Sequence, residues 1–154
     1  MVDPEGFGVD PPKIVVHTDV FLEHLCAGRG SSLLRQAMAK FFCYTTVFQA
    51  IELFSFARTE TEGRAIEDSM AAVKILGLNP RNARKYGELL ADRGRPDLMT
   101  VLIAGLCRES RLPLLTDRRN EFRGIPGLLV VPTQFIERYE TGTQVLHAAR
   151  GGSS

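Results

Sequence analysis

Four acidic residues stand at the ends of predicted strands or within or at the start of predicted helices: Asp19, Glu52, Asp97 and Asp117. Carboxylates that converge on one cleft repel each other unless a divalent cation neutralises them, and hard oxygen ligands favour Mg²⁺ or Mn²⁺. Such an ion activates water and stabilises the charge that develops on a phosphodiester under attack. The pattern therefore makes these four residues candidate ligands of a divalent cation, with ordinary solvated surface carboxylates as the alternative.

Glu52 is the acidic residue that solvation explains least well. It lies inside the apolar run Val47–Phe56, which the spacing of its hydrophobic residues predicts to be a helix. Burying an unpaired carboxylate in such a helix is costly, so Glu52 needs a partner, a metal ion or a cleft.

Short apolar segments alternate with helical patterns along the chain. The predicted strands are residues 14–16, 42–45, 112–116 and 128–131, with residues 73–78 left open between helix and strand. This alternation indicates a parallel sheet covered by helices on both faces. In such sheets the working residues gather beyond the carboxyl ends of the strands, so residues 17–19, the helix after residue 45 and residues 116–121 are expected to meet.

The chain of 154 residues is long enough for one domain with its own core. We divide it into a flexible segment 1–12, a folded domain 13–132 and a C-terminal helix or tail 133–154. Net charge is +1, so nucleic acid or membrane binding would need a local patch. Cys26, Cys43 and Cys107 show no metal-ligand spacing and read as buried, reduced thiols; together with the lack of an apolar run long enough to cross a bilayer, they predict a cytoplasmic protein without a membrane partner.

Five blocks carry a family resemblance in their order and spacing: residues 14–21 (IVVHTDVF), 46–53 (TVFQAIEL), 103–106 (IAGL), 112–116 (LPLLT) and 122–131 (FRGIPGLLVV). Together they resemble the PIN domain family, which includes the ribonuclease toxins of bacterial toxin–antitoxin pairs, over about residues 13–132. The last block is the most specific. The resemblance implies a three-layer α/β/α fold with a central, mainly parallel sheet of four to five strands. It also implies a nuclease that cuts single-stranded RNA with Mg²⁺ or Mn²⁺.

The chain departs from the family pattern at three positions. His17 stands where the first aspartate is usual, Thr100 where the third-block aspartate is usual, and Arg118 where an aspartate or asparagine is usual. Glu52 alone matches without adjustment.

Two outcomes follow from these departures. A displaced metal site could be built from Asp19, Glu52, Asp97 and Asp117, with His17 as a nitrogen ligand or proton shuttle. Alternatively, the lost carboxylates and the inserted arginine weaken metal binding, because an octahedral ion tolerates little displacement of its ligands.

Basic residues cluster in residues 81–95 and again in residues 108–123. The second cluster borders the predicted cleft, where Arg118 or Arg119 could hold an RNA phosphate. A solvated face balanced by nearby acidic residues is the alternative.

The apolar helix after residue 45 is expected to exceed what one small core can cover. Its exposed remainder would form a homodimer face or receive a small antitoxin-like protein.

Three functions thus remain open from the sequence. The first is a PIN-type endoribonuclease whose metal is held by the four carboxylates. The second is a degenerate PIN domain that binds RNA or protein without catalysis. The third is a flavodoxin-like or other doubly wound domain for a small ligand, which the lack of a phosphate-binding glycine loop disfavours.

Overall fold

The computed structural model describes residues 10–92 and 97–151. In chain order the strands are β1 (Lys13–Val16), β2 (Phe42–Thr46), β3 (Lys74–Leu76), β4 (Leu114–Leu115) and β5 (Val130–Val131). The helices are α1 (Thr18–Ala27), α2 (Leu33–Met38), α3 (Val47–Phe56), α4 (Glu60–Ala71), α5 (Ala83–Asp92), α6 (Leu98–Ser110), α7 (Arg119–Phe122), α8 (Gln134–Arg138) and α9 (Gly142–Ala149), with a 3₁₀ turn at Pro80–Asn82.

The five strands form one sheet in the order β3-β2-β1-β4-β5, and every pairing is parallel. Ile14 pairs with Cys43 on one side, and Val15 pairs with Leu114 on the other. The chain runs outward from β1 in both directions, so the strand order reverses between β1 and β4. A crevice at the carboxyl ends of these two strands is where open parallel sheets bind ligands.

Successive side chains of a strand point to opposite faces of the sheet, so the core is divided into two parts, one on each face. Ile14 and Val16 pack with α1, α2, α3, α4, α8 and α9 on one face. Val15 packs with α5, α6 and Phe122 on the other. All three residues of this β-branched run are fully buried, as expected for a strand covered on both sides. The predicted three-layer α/β/α architecture is confirmed.

Several predicted boundaries shift for local reasons. β4 covers only Leu114–Leu115 of the predicted strand 112–116, since Pro113 has no N–H for the ladder. The open segment 73–78 contains a strand, β3. The predicted turn 117–123 contains α7, which buries Phe122 against the sheet.

The structure also describes most of the C-terminal segment and all three cysteines. Residues 133–151 include two helices, α8 and α9, whereas most of the segment 1–12 and the last three residues lie outside the described part. Cys43 and Cys107 are buried, but the prediction was wrong for Cys26, which is exposed in the last turn of α1. Within the described ranges, no helix combines the length and hydropathy needed to cross a bilayer.

Candidate functional site

Asp19 lies at the carboxyl end of β1 and accepts four hydrogen bonds. Its Oδ1 receives the N–H of Val20 at 2.9 Å and lies 3.3 Å from His17 Nδ1. Its Oδ2 receives the N–H of Asp117 at 2.9 Å and the hydroxyl of Thr116 at 3.1 Å. Both oxygens are therefore engaged by protein donors, and Asp19 joins the end of β1 to the end of β4.

These donors also set the ionisation of Asp19. Burial alone would raise its pKa, but the hydrogen bond and charge of His17, with the bonds from the Asp117 N–H and Thr116, lower the pKa below its usual value. The carboxylate is thus held in its charged form as an acceptor.

His17 occupies the centre of this network and is only 3% exposed. Its Nδ1 lies 3.2 Å from Thr116 Oγ1 as well as near Asp19. Because a carboxylate can only accept, the Nδ1 that contacts Asp19 carries the proton. The imidazole also meets the ring of Phe122 edge to face, with 5.2 Å between centroids. His17 is thereby locked between α7 and the ends of two strands.

Asp117 follows β4, and its carboxylate is directed to the loop after β5. Thr133 donates its N–H to Oδ1 at 3.2 Å and its hydroxyl to Oδ2 at 2.6 Å. Asp117 therefore meets Asp19 through its backbone N–H while its side chain ties β4 to Thr133.

Glu52 reaches the same edge of the sheet from α3. Its side chain is partly buried, and Oε1 accepts the hydroxyl of Thr18 at 2.7 Å. The buried Gln49 fixes the helix, since its Nε2 donates to the Val16 carbonyl at 2.8 Å and its Oε1 accepts the Thr46 N–H at 2.9 Å. Glu52 therefore has a hydroxyl partner at the start of α1. This hydrogen bond offsets part of the free energy that partial burial of the carboxylate costs.

Asp97 is the N-cap of α6. Its Oδ2 accepts the Thr100 N–H at 3.1 Å and the Thr100 hydroxyl at 3.2 Å, which satisfies the first turn of the helix. Asp97 is exposed, whereas Thr100 is 5% exposed and faces the protein interior.

Arg118 and Arg119 stand at the start of α7. The Arg118 N–H donates to Thr116 Oγ1, and its guanidinium lies 3.7 Å from Glu121 with about half of each side chain exposed. An ion pair this open contributes little to stability, so the guanidinium is free to exchange partners. Arg119 is exposed.

The structure therefore brings together two pairs rather than one carboxylate cluster: Asp19 with the backbone of Asp117, and Glu52 with Thr18. Across residues 10–92 and 97–151, no three His, Cys, Asp or Glu side chains are arranged to hold a metal ion. An octahedral Mg²⁺ needs several oxygens at about 2.0–2.1 Å.

Sequence reasoning missed the threonines that organise this edge. Thr116 comes directly after β4, Thr133 is the second residue after β5, and Thr18 is the second residue after β1. A signal was present, because hydroxyl residues one or two positions after buried strands can donate hydrogen bonds to carboxylates at the same edge of the sheet.

No family model matches the chain, and no curated protein does so either. Solved structures do. The chain is similar to VapBC2 from Rickettsia felis bound to a fragment of promoter DNA, with 18% identity, 78% of this chain and 98% of that chain covered, and a TM-score of 0.66.

Two further solved structures are similar to this chain over most of its length. A toxin–antitoxin complex from Klebsiella pneumoniae gives 18% identity, coverage of 78% and 97%, and a TM-score of 0.64. VapBC-1 from nontypeable Haemophilus influenzae gives 21% identity, coverage of 79% and 98%, and a TM-score of 0.63. Such likeness at low identity concerns the fold.

Proposed function

We propose, from the premise that this chain has the PIN-like fold of the VapC toxins, that it is a toxin–antitoxin-type protein that works by binding a small antitoxin-like protein. This is the non-catalytic reading of the resemblance. It is supported by an exposed apolar surface and by the way the strand-end carboxylates are engaged.

The observation that carries the proposal is the outer surface of α3. Ile51 is 57% exposed and Phe54 is 41% exposed, while Ala50 and Leu53 are buried beneath them. Residues three apart share one side of a helix, so Ile51 and Phe54 form one apolar surface, the α3 face. Neighbouring large apolar side chains left in water mark a site of protein association.

A small antitoxin-like protein is the occupant we assign to the α3 face. One solved structure that this chain resembles is a toxin–antitoxin complex, and another is a member of the VapBC family of toxin–antitoxin systems. A second copy of this chain is the other possible occupant, and the experiment below separates the two.

The strand-end site consists of His17, Asp19 and Asp117 at the carboxyl ends of β1 and β4. Its hydrogen bonds support the proposal of a non-catalytic protein. The Asp19 carboxylate accepts from backbone N–H groups on two sides, and the Asp117 carboxylate accepts from Thr133. With His17 buried between them, the edge of the sheet is held by internal hydrogen bonds that do not require a cation.

We expect Ile51→Glu with Phe54→Glu to abolish the complex with a small antitoxin-like protein. Two carboxylates on the contact surface must be desolvated on binding, which should weaken affinity at least about a hundredfold. Light scattering after co-expression and size-exclusion chromatography would measure the complex. Both side chains face solvent, so folding should be unaffected.

Met38→Glu is the matched control, because Met38 is as exposed as Phe54, at 41%, but lies on α2. The complex should survive this change. Persistence of the complex in the double α3 variant would overturn the proposal, and a homodimer of the chain alone, lost in that variant, would assign the α3 face to a second copy instead.

The second candidate is the metal-dependent endoribonuclease. Glu52 favours it, because this carboxylate is partly buried at the same sheet edge as Asp19 and matches the family pattern. In that case Asp19, Glu52, Asp97 and Asp117 would have to converge on Mg²⁺ or Mn²⁺, and Arg118 or Arg119 would hold a phosphate of single-stranded RNA.

A further inference from the structure

A recess lies between α5 and α6 and shares no lining residue with the strand-end site. It has a volume of about 470 Å³, within the range of small-molecule sites. The C-terminal end of α6 leads directly into β4, so this recess, the α5–α6 pocket, lies toward the amino ends of the strands. Its lining is Lys85, Tyr86, Glu88, Leu89, Gly105, Arg108, Glu109 and Arg111.

Three cations line the α5–α6 pocket: Lys85, Arg108 and Arg111. None of them forms an ion pair with another residue of the described ranges. The structure thus joins the two basic clusters of the sequence, since Lys85 belongs to the first and both arginines to the second. Arg111 holds the left-handed φ of 57° that ends α6, a position where glycine is usual.

The two acidic residues of the lining are already engaged. Glu109 accepts hydrogen bonds from the amide of Asn82 and, at 3.3 Å, from the hydroxyl of Tyr86. Glu88 lies 3.6 Å from the Arg84 guanidinium on the solvent side of α5. Burial and the Glu109 carboxylate raise the pKa of Tyr86, so its phenol stays protonated and remains a donor.

The floor of the pocket is apolar and closely packed. The ring of Tyr86 is 7% exposed and lies over Gly105, where an added Cβ would stand 2.6 Å from Tyr86 Cε2. Leu89 completes the floor. Cations at the rim above an apolar floor suit an anion attached to a flat or apolar body.

We propose that the α5–α6 pocket binds the phosphate of a small phosphorylated ligand. Guanidinium groups match phosphate oxygens in pairs, and Lys85 adds a point charge. A nucleoside monophosphate and the phosphorylated end of an RNA carry the same group, so both are sources of the ligand. This inference is independent of the α3 face and of the strand-end site.

Calorimetry with adenosine monophosphate tests the proposal, with adenosine as the probe that lacks phosphate. We expect saturable binding of the monophosphate and none of adenosine. Arg108→Gln with Arg111→Asn should weaken that binding at least about tenfold, since two charge-assisted hydrogen-bonding groups are lost. Asparagine tolerates the left-handed backbone at position 111, so the end of α6 is preserved.

Arg81→Gln with Arg150→Gln is the matched control, because it removes the same charge from exposed arginines outside the lining. The affinity of this control for the monophosphate should stay within about twofold of the wild-type value. If net charge alone governed binding, the control and the pocket variant would lose affinity equally. A short RNA with a 5′-phosphate, compared with its 5′-hydroxyl form, supplies the second source of the same group.

Binding of either phosphorylated probe that weakens only in the pocket variant supports the proposal and identifies the source. Three results would overturn it: no saturable binding of either probe, adenosine binding as tightly as its monophosphate, or an equal loss in the control variant.

Discussion

Replacing Asp19 with asparagine will lower the free energy of unfolding by about 2–4 kcal/mol, since one acceptor oxygen becomes an NH₂ group that faces donors. The carboxylate accepts from the N–H groups of Val20 and Asp117, from the Thr116 hydroxyl and from His17. Its side chain is 21% exposed, so solvent replaces these partners poorly. Urea unfolding measures the change.

The effect should depend on pH in a defined direction. Because hydrogen bonding lowers the pKa of Asp19 in the folded protein, its stabilisation is fully present above the unfolded pKa. It is lost as the pH falls through the folded value. The gap between wild type and Asp19→Asn should therefore be widest near neutral pH and narrow below about pH 4.

Asp68→Asn supplies the control, because Asp68 is exposed on α4. This change should alter stability by less than about 0.5 kcal/mol. Equal stability of Asp19→Asn and wild type at neutral pH would mean that the Asp19 hydrogen bonds do not hold the two strand ends together.

A second large effect is expected for Gln49→Leu, which should cost about 2–4 kcal/mol. The side chain is fully buried and bridges α3 to the sheet, donating to the Val16 carbonyl and accepting from the Thr46 N–H. Leucine fills the space but leaves a buried backbone N–H without its acceptor. Urea unfolding at a constant m-value would isolate this loss.

Gln134→Leu is the companion change, since Gln134 is exposed at the start of α8. It should be nearly neutral. If the two glutamine variants were equally stable, the bridge from α3 to β1 would not be what positions Glu52 and the α3 face.

Much of the fold could be predicted because its signals are local. The run Ile14-Val15-Val16 predicts a strand buried on both sides. The short strands were harder, because Pro113 has no N–H for the ladder just before β4 while the apolar pattern continues through it. α7 was missed since four residues are too few to show helical periodicity.

The site was only partly predictable, because carboxylate direction depends on tertiary partners. Strand ends correctly located Asp19 and Asp117 at one edge of the sheet. Which way the Asp117 side chain turns is decided by Thr133, a residue after β5 that no local pattern connects to it. Asp97 is the N-cap of α6. Its position directly before an apolar helix is as typical of a helix cap as of a metal ligand, so the sequence alone does not separate the two roles.

Calorimetric titration of the wild-type protein with Mn²⁺ tests most directly whether hydrogen bonds, rather than a cation, hold the carboxylates at the strand ends. We expect no saturable heat, and no cleavage of a labelled single-stranded RNA in the same buffer. A saturable isotherm that disappears in Glu52→Gln, accompanied by RNA cleavage lost in that variant, would contradict this and establish the metal-dependent nuclease.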